Sequence, residues 1–350
     1  MVGLTANSLS LPVLDTSVQR PVYARGPRSL SSVRLLRLSV TDRCNLRCIY
    51  CMPDGGLEFA DRDELLQPAD FEAVAAAAVG LGIPSVKLTG GEPTVRRDLL
   101  EIVERIAALA PHDLSMTTNG LQLERLAQPL RDAGMSRLTL SLDTIDPERY
   151  ARITGGGRIE LFWRGVDAAV AAGFERLKIN VVVIRGVNDE DVESLAALSL
   201  DRPWTIRFIE YMPLGDSRIT AGGDPRAAIV DGAEILGRLA VRFGTPEPVV
   251  RASEPGVGPA EVYSLPGATG RVGFISAMSR PFCEHCNRLR LTSTGQLRSC
   301  LFDGGEVNAL PALRPQPDPA RLRELFAECV AKRPEVHSDR GNRAMSQIGG

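Results

Sequence analysis

From Val33 onward, short apolar runs alternate with stretches of helical period. The runs cover residues 33–40, 85–89, 114–118, 137–142, 177–184 and 205–211, and the amphipathic or Ala-rich stretches between them cover 68–80, 97–109, 123–133, 161–172 and 189–199. Strand–helix alternation without hairpin signals predicts a parallel sheet with helices on its outside. The runs end in polar residues or glycine: Thr41-Asp42, Gly90-Gly91-Glu92, Thr118-Asn119-Gly120, Asp143, Arg185-Gly186 and Met212-Pro213. In barrel folds the C-terminal strand ends form the site, so these ends are expected to face one another. Spacing alone leaves an open barrel and a doubly wound sheet both standing.

After Gly215 the pattern changes. Gly- and Pro-rich segments at 222–224 and 245–258 flank a helical pattern at 233–240, and strand-like runs follow at 262–265 and 271–275. Residues 287–297 alternate and turn at Thr294-Gly295, as a hairpin does. The expected organisation is a flexible lead-in over 1–30, a strand–helix region over 31–215, a smaller C-terminal region over 216–340 packed across its mouth, and a tail over 341–350.

Composition narrows this little, except through cysteine. With 44% hydrophobic and 24% charged residues the chain is ordinary globular protein, and its net charge of −2 argues against a general nucleic-acid binder. No apolar run approaches the ~18 residues of a membrane span, so no membrane insertion is expected. Six of the seven cysteines fall into two clustered trios, a pattern of metal binding in a reducing cytoplasm. Cys329, within a helical pattern, reads as a small buried hydrophobe.

The first trio is Cys44, Cys48 and Cys51, spaced C-x3-C-x2-C in the loop after the first run. Structural zinc sites are closed by four N or S ligands, and here the local set stops at three. A four-iron cluster that leaves one iron without a protein ligand fits better. The second trio, Cys283, Cys286 and Cys300, has spacing C-x2-C-x13-C, and the hairpin between its halves returns Cys300 toward the pair. Alone, this set is ambiguous, with zinc on His285 as the fourth ligand as its lesser reading; beside the first loop, a second three-cysteine cluster is the stronger one.

The first loop resembles the signature of the radical S-adenosylmethionine (SAM) superfamily. The resemblance implies a [4Fe-4S] cluster whose open iron chelates SAM and an electron that splits it to a 5'-deoxyadenosyl radical. It also implies a partial barrel of six βα units, here an α/β fold with a C-terminal α+β region closing the open side. From about Arg37 to the last residue, the two trios together with Thr41-Asp42-Arg43-Cys44, Leu88-Thr89-Gly90-Gly91-Glu92-Pro93, Thr117-Thr118-Asn119-Gly120, Ser141-Leu142-Asp143, Ile209-Glu210-Tyr211-Met212-Pro213 and Ile348-Gly349-Gly350 resemble the GTP 3',8-cyclase family of molybdenum cofactor biosynthesis. That resemblance implies SAM contacts at Tyr50, Gly90, Gly91, Glu92, Ser141 and Met212. It implies GTP contacts at Arg37, Lys87, Thr117, Lys178, Arg288, Leu289 and Arg290, with Arg288 and Arg290 also catalytic, and a second [4Fe-4S] cluster on Cys283, Cys286 and Cys300 that anchors the guanine.

Each of these residues also has a plainer reading. Glu92 is placed to favour the N-terminus of the following helix, as Pro93 indicates, and solvated surface is the usual fate of a lone Lys or Arg. The cations here fall within or at the ends of strands, where an unpaired charge is expensive and a polyanion relieves it. Where the family usually has Arg this chain has Lys87, which keeps the charge and loses the planar fork. No Walker-type loop is present, so GTP is expected as a substrate held by basic side chains. The Gly349-Gly350 ending looks like the family's tail that reaches into the active site, with Arg343 helping. The resemblance further implies a low-potential electron donor, a downstream cyclic pyranopterin monophosphate synthase and a homodimer. The alternative is a peptide-modifying radical SAM enzyme with an auxiliary cluster, a class that generally carries more C-terminal cysteines.

Overall fold

A computed structural model describes residues 28–349 apart from 54, 218, 220–222, 251–255, 257 and 303–305. The expected lead-in over 1–27, Gly222, most of the Gly- and Pro-rich stretch after residue 250, and Gly350 therefore lie outside the described residues.

The apolar runs form parallel strands β1 (Leu35–Ser39), β2 (Ser85–Thr89), β3 (Asp113–Thr118), β4 (Arg137–Ser141), β5 (Lys178–Val183) and β6 (Thr205–Glu210). Helices α1 (Pro68–Gly80), α2 (Leu99–Ala107), α3 (Leu123–Asp132), α4 (Pro147–Thr154), α5 (Ile159–Ala171) and α6 (Val192–Asp201) fill the crossovers. Alternation along each strand sorts the side chains. Leu36, Leu38, Val86, Leu88, Leu114, Met116, Leu138 and Leu140 are buried in the core formed with the helices. Their neighbours Arg37, Lys87, Ser115, Thr117 and Arg137 face the opposite way and line an interior cavity. A conventional barrel fills this interior with branched apolar residues. This one lines it with cations and hydroxyls, which marks the interior as a place for a charged ligand.

The C-terminal region contains α7 (Gly232–Phe243), β7 (Glu247–Pro248), β8 (Glu261–Ser264), β9 (Arg271–Ile275), β10 (Arg288–Leu291), β11 (Gln296–Arg298), β12 (Val307–Asn308), α8 (Pro319–Ala331) and α9 (Met345–Ile348). It extends the six-stranded sheet by strand addition at both edges. β10 pairs in parallel with the free edge of β1, with Arg37 opposite Arg290, and β9 pairs in parallel with the free edge of β6. Antiparallel β11 and β8 follow outside these, giving one sheet in the order β12-β11-β10-β1-β2-β3-β4-β5-β6-β9-β8-β7. Both outer strands have two residues, and such short edges offer little template for pairing with another chain. The expected hairpin over 287–297 is β10 and β11, and Cys329 is buried within α8 as expected.

Candidate active site

Both cysteine trios line one cavity of about 320 Å³ that runs along the barrel strands, from the first loop beyond the C-terminal end of β1 to Cys283 and Cys286, which precede Arg288 opposite Leu35 at the start of β1. Two backbone clamps hold the first loop. On one side the Arg47 and Ile49 amides donate to the Thr154 and Ile153 carbonyls at the end of α4, both at 2.9 Å. On the other, the Gly91 and Glu92 amides donate to the Thr41 and Arg43 carbonyls at 2.7 and 2.8 Å. A Cβ on Gly90 would lie 2.5 Å from the Thr41 carbonyl oxygen, so this glycine permits strand-end backbone to lie directly against the chain that leads into Cys44.

All six cavity cysteines are free thiols. Burial pushes the Cys44 thiol up to about 11, and burial together with the neighbouring Cys44 pushes Cys51 up to about 12. Cys48 is raised well above the ordinary thiol value by burial and by Cys51, Asp143 and Cys44. Thiols held protonated by burial and mutual repulsion become ligands when a cationic centre shares them, because coordination deprotonates a thiol outright. In the second trio burial raises Cys283, whereas at Cys286 the guanidiniums of Arg288 and Arg333 outweigh burial and lower it. Arg333, itself buried, donates to the Cys286 carbonyl at 2.5 Å and to the Arg288 carbonyl at 2.7 Å, fixing the loop that carries the pair. His285, the fourth ligand of a zinc reading, lines a neighbouring cavity instead of this one. Among the described residues no three His, Cys, Asp or Glu side chains gather around a single metal ion, as tetrahedral zinc requires. The donor set at each trio, three thiols with one position left over, fits an iron–sulfur cluster with an open iron.

Of the SAM positions implied by the resemblance, Tyr50, Gly90, Gly91, Glu92, Ser141 and Met212 all line the cavity. The Glu92 carboxylate accepts from the Thr94 amide at 3.0 Å, the Thr94 and Thr118 hydroxyls at 2.6 Å and the Asn119 amide at 2.7 Å. It also caps the single turn Pro93–Val95, not the following helix, which starts at Leu99 after Asp98. Burial still raises its pKa, which leaves it ready for a cationic partner. Tyr50 donates to Asp143 at 2.8 Å, and Asp143, pushed up to about 6 by burial, also accepts from the Val182 amide at 2.8 Å.

Arg37, Lys87, Thr117, Lys178, Arg288 and Arg290 line the same cavity, but Leu289 does not: its side chain lies in the apolar core on the other face of β10. Lys87 donates to the Thr139 hydroxyl at 3.0 Å and the Thr117 hydroxyl at 3.4 Å. Burial and the surrounding Arg207, Arg37, Arg137 and Lys178 hold its pKa well below the ordinary lysine value. Burial and Arg288 likewise bring Arg290 down to about 9. Like charges crowded in a dry interior are unfavourable until an anion joins them. Arg207 and Arg137 were not anticipated from the sequence, and both line the cavity. Arg207 follows from the alternation Thr205-Ile206-Arg207-Phe208, which puts it on the face opposite Ile206. Arg137 is engaged by Asp113 through contacts of 2.7 and 2.5 Å.

The C-terminal tail enters from above. Met345 and Ser346 line the cavity, the Ser346 backbone hydrogen-bonds Cys51, and Arg290 Nη1 donates to the Gly349 carbonyl at 2.5 Å. Arg343, expected to assist, is taken up by Glu306 at 3.0 Å.

Residues 38–198 match the Radical SAM superfamily model, and residues 204–339 match the Molybdenum Cofactor Synthesis C model. The chain is 43% identical over 324 residues to the GTP 3',8-cyclase of Pelotomaculum thermopropionicum, covering 91% of this chain and 98% of that protein. It is 44% identical over 330 residues to the GTP 3',8-cyclase of Heliobacterium modesticaldum, with the same coverage. The chain belongs to the GTP 3',8-cyclase family. The radical SAM fold of this family member is also seen in the structure of Streptococcus suis SuiB bound to S-adenosylmethionine (TM-score 0.52, 15% identity, 90% of this chain and 75% of that one). The SuiB complex with precursor peptide SuiA gives TM-score 0.54 at 16% identity over 87% of this chain and 66% of that one. At such identities the likeness speaks for the fold alone. As in its family, the cofactors are two [4Fe-4S] clusters and SAM.

Glu92→Gln gives this GTP 3',8-cyclase family member a direct test of the expected SAM contact at Glu92. The amide keeps one acceptor and loses the charge, so a charge-assisted bond of about 1.5–3 kcal/mol goes with it. The expected result is SAM affinity lowered roughly 10- to 100-fold, measured by equilibrium binding to cluster-loaded protein, with iron content unchanged.

Proposed function

We infer that this chain is a radical SAM GTP 3',8-cyclase that converts GTP to (8S)-3',8-cyclo-7,8-dihydroguanosine 5'-triphosphate, the first step of molybdenum cofactor (molybdopterin) biosynthesis. The observation that carries this reading is that both cysteine trios and a cationic strand face line a single cavity. With both clusters and SAM bound, the site supplies the one-electron chemistry that removes the ribose 3' hydrogen of GTP and lets C3' bond to C8 of the guanine. Cys44, Cys48 and Cys51 hold the SAM cluster, and Glu92, Tyr50, Ser141 and Met212 orient SAM against it. Arg37, Lys87, Thr117, Lys178, Arg288 and Arg290 receive the nucleotide, to which the cavity lining adds Arg207. Cys283, Cys286 and Cys300 hold the cluster that anchors the guanine, so that the base stays beside the ribose carbon it must join. Positioning of this kind supplies on the order of 7 kcal/mol of barrier lowering in favourable cases.

The relatives also weigh against the peptide-modifying alternative: named GTP 3',8-cyclases reach 38–44% identity over 91% of the chain. Among the described residues no helix is long and apolar enough to cross a membrane. We place the enzyme in the cytoplasm as a homodimer, drawing on a low-potential electron donor and passing its product to cyclic pyranopterin monophosphate synthase. The test is anaerobic incubation of reconstituted protein with SAM, reductant and GTP, followed by mass analysis. A nucleotide of the mass of GTP and altered retention is expected. Consumption of SAM with GTP untouched would point to another substrate.

A further inference from the structure

We propose that this site takes its nucleoside triphosphate as the metal-free tetra-anion, so that Mg2+ competes with the protein for the substrate. The proposal rests on the reading of the cavity as a GTP site and concerns the form in which the nucleotide binds.

The charge inventory of the lining carries it. Arg37, Lys87, Lys178, Arg207, Arg288 and Arg290 all face the cavity. They come from β1, β2, β5, β6 and β10 and so surround the space instead of flanking one side of it. Among the described residues three carboxylates share the lining, and each is already engaged. Glu92 takes four hydrogen bonds from Thr94, Thr118 and Asn119. Asp143 accepts from the Tyr50 hydroxyl and the Val182 amide. Asp113 accepts both arms of the Arg137 fork. In the adjoining cavity, Glu261 pairs with Arg280 at 3.2 Å.

A nucleotide-borne Mg2+ is normally received by one or two protein carboxylates and keeps near-ideal octahedral geometry with several waters. On each of the three lining carboxylates both oxygens already accept hydrogen bonds, so a metal would have to share an oxygen with a donor the protein holds there. The guanidinium and ammonium groups that would surround the metal repel it. They also do its usual work: Arg forks and Lys ammonium groups neutralise phosphate oxygens directly. Chelated nucleotide brings two fewer negative charges to the same cations and adds a hydrated dication to a crowded site. The free tetra-anion is the better electrostatic match.

The test is GTP binding to cluster-loaded protein by calorimetry under anaerobic conditions, in chelator and then in rising free Mg2+ at constant ionic strength. At a Mg2+ level that leaves about 1% of the nucleotide unchelated, the apparent Kd is expected to rise about 100-fold, since only the competent fraction binds. In parallel, protein added to Mn2+–GTP should release the metal and increase the EPR signal of aqueous Mn2+. Affinity unchanged or strengthened by Mg2+, or an aqueous Mn2+ signal that falls on adding protein, overturns the proposal. Absence of GTP binding in both chelator and Mg2+ overturns the GTP reading itself, and this proposal with it.

Discussion

Cys283→Ser is expected to yield a protein with about four irons per chain instead of about eight, able to cleave SAM and unable to cyclise GTP. The two trios share a cavity, but different contacts hold them. The first loop hangs on the end of α4 and on the Gly90-Gly91 turn. The second hangs on Arg333, which grips the Cys286 and Arg288 carbonyls. Loss of one thiol from the second trio therefore removes a cluster without loosening the first loop, and serine, nearly isosteric, leaves β10 in place beside β1. What disappears is the anchor for the base, and with it the approach of C8 to the ribose carbon. Iron and sulfide analysis, SAM cleavage under reductant and mass analysis of the nucleotide separate the three effects. Undiminished cyclisation in a four-iron variant would contradict the assignment of the second trio. The reciprocal change, Cys48→Ser, should abolish SAM cleavage and cyclisation together.

Much of this site was legible in the sequence because its chemistry is written in residue types that have few other uses at such spacing. Three cysteines within eight residues, directly after an apolar run, left little room for a structural role. The strands were equally clear, since alternation in the segments 85–89 and 205–211 continues through the observed β2 and β6. Less legible was anything set by non-local pairing. The parallel match of β10 to β1 and of β9 to β6 brings together segments some 250 and 65 residues apart, as Arg37 against Arg290 and Phe208 against Phe274 show. No local pattern announces such a partner. Leu289 stands between Arg288 and Arg290 in the family motif, yet the two-residue period of a strand turns it to the opposite face.

The short helix α4 was missed for another reason. Its eight residues are too few for a periodic signal, yet its stops were readable: Asp146 caps the start, accepting from the Arg149 amide at 2.6 Å, Pro147 opens it and Gly155 ends it. That helix end holds the first cysteine loop, so the omission concealed half of the clamp. Arg207 and Arg137 were overlooked because a lone arginine in a strand is ordinarily a solvated edge residue. Only the curved sheet, with both cysteine trios on its inner side, shows that their face is an interior.

Gly349→Ala should lower the turnover for cyclised nucleotide about 100-fold while leaving thermal stability almost unchanged, the size of loss a misplacement of about 1 Å can produce. Gly349 has φ of 71°, in the left-handed region, where a side chain is strained by roughly 1–2 kcal/mol. Its added Cβ would also lie 2.7 Å from Thr89 Oγ1 and 2.9 Å from Ser39 Cβ, atoms of two adjacent barrel strands. Those strands are paired residue by residue, with Ser39 opposite Thr89, and are the stiffer party. The tail is held by the small apolar cluster of Leu214, Phe302 and Ile348, so it is the tail that withdraws. Withdrawal takes the Gly349 carbonyl from Arg290 and frees that guanidinium in the cavity wall. Arg290→Lys, which keeps charge but loses the fork, should reproduce the defect, and the double variant should be little worse than the poorer single one because the two residues act through one contact. Activity of Gly349→Ala within twofold of the parent, or fully additive losses in the double variant, would show that the tail does not act through Arg290.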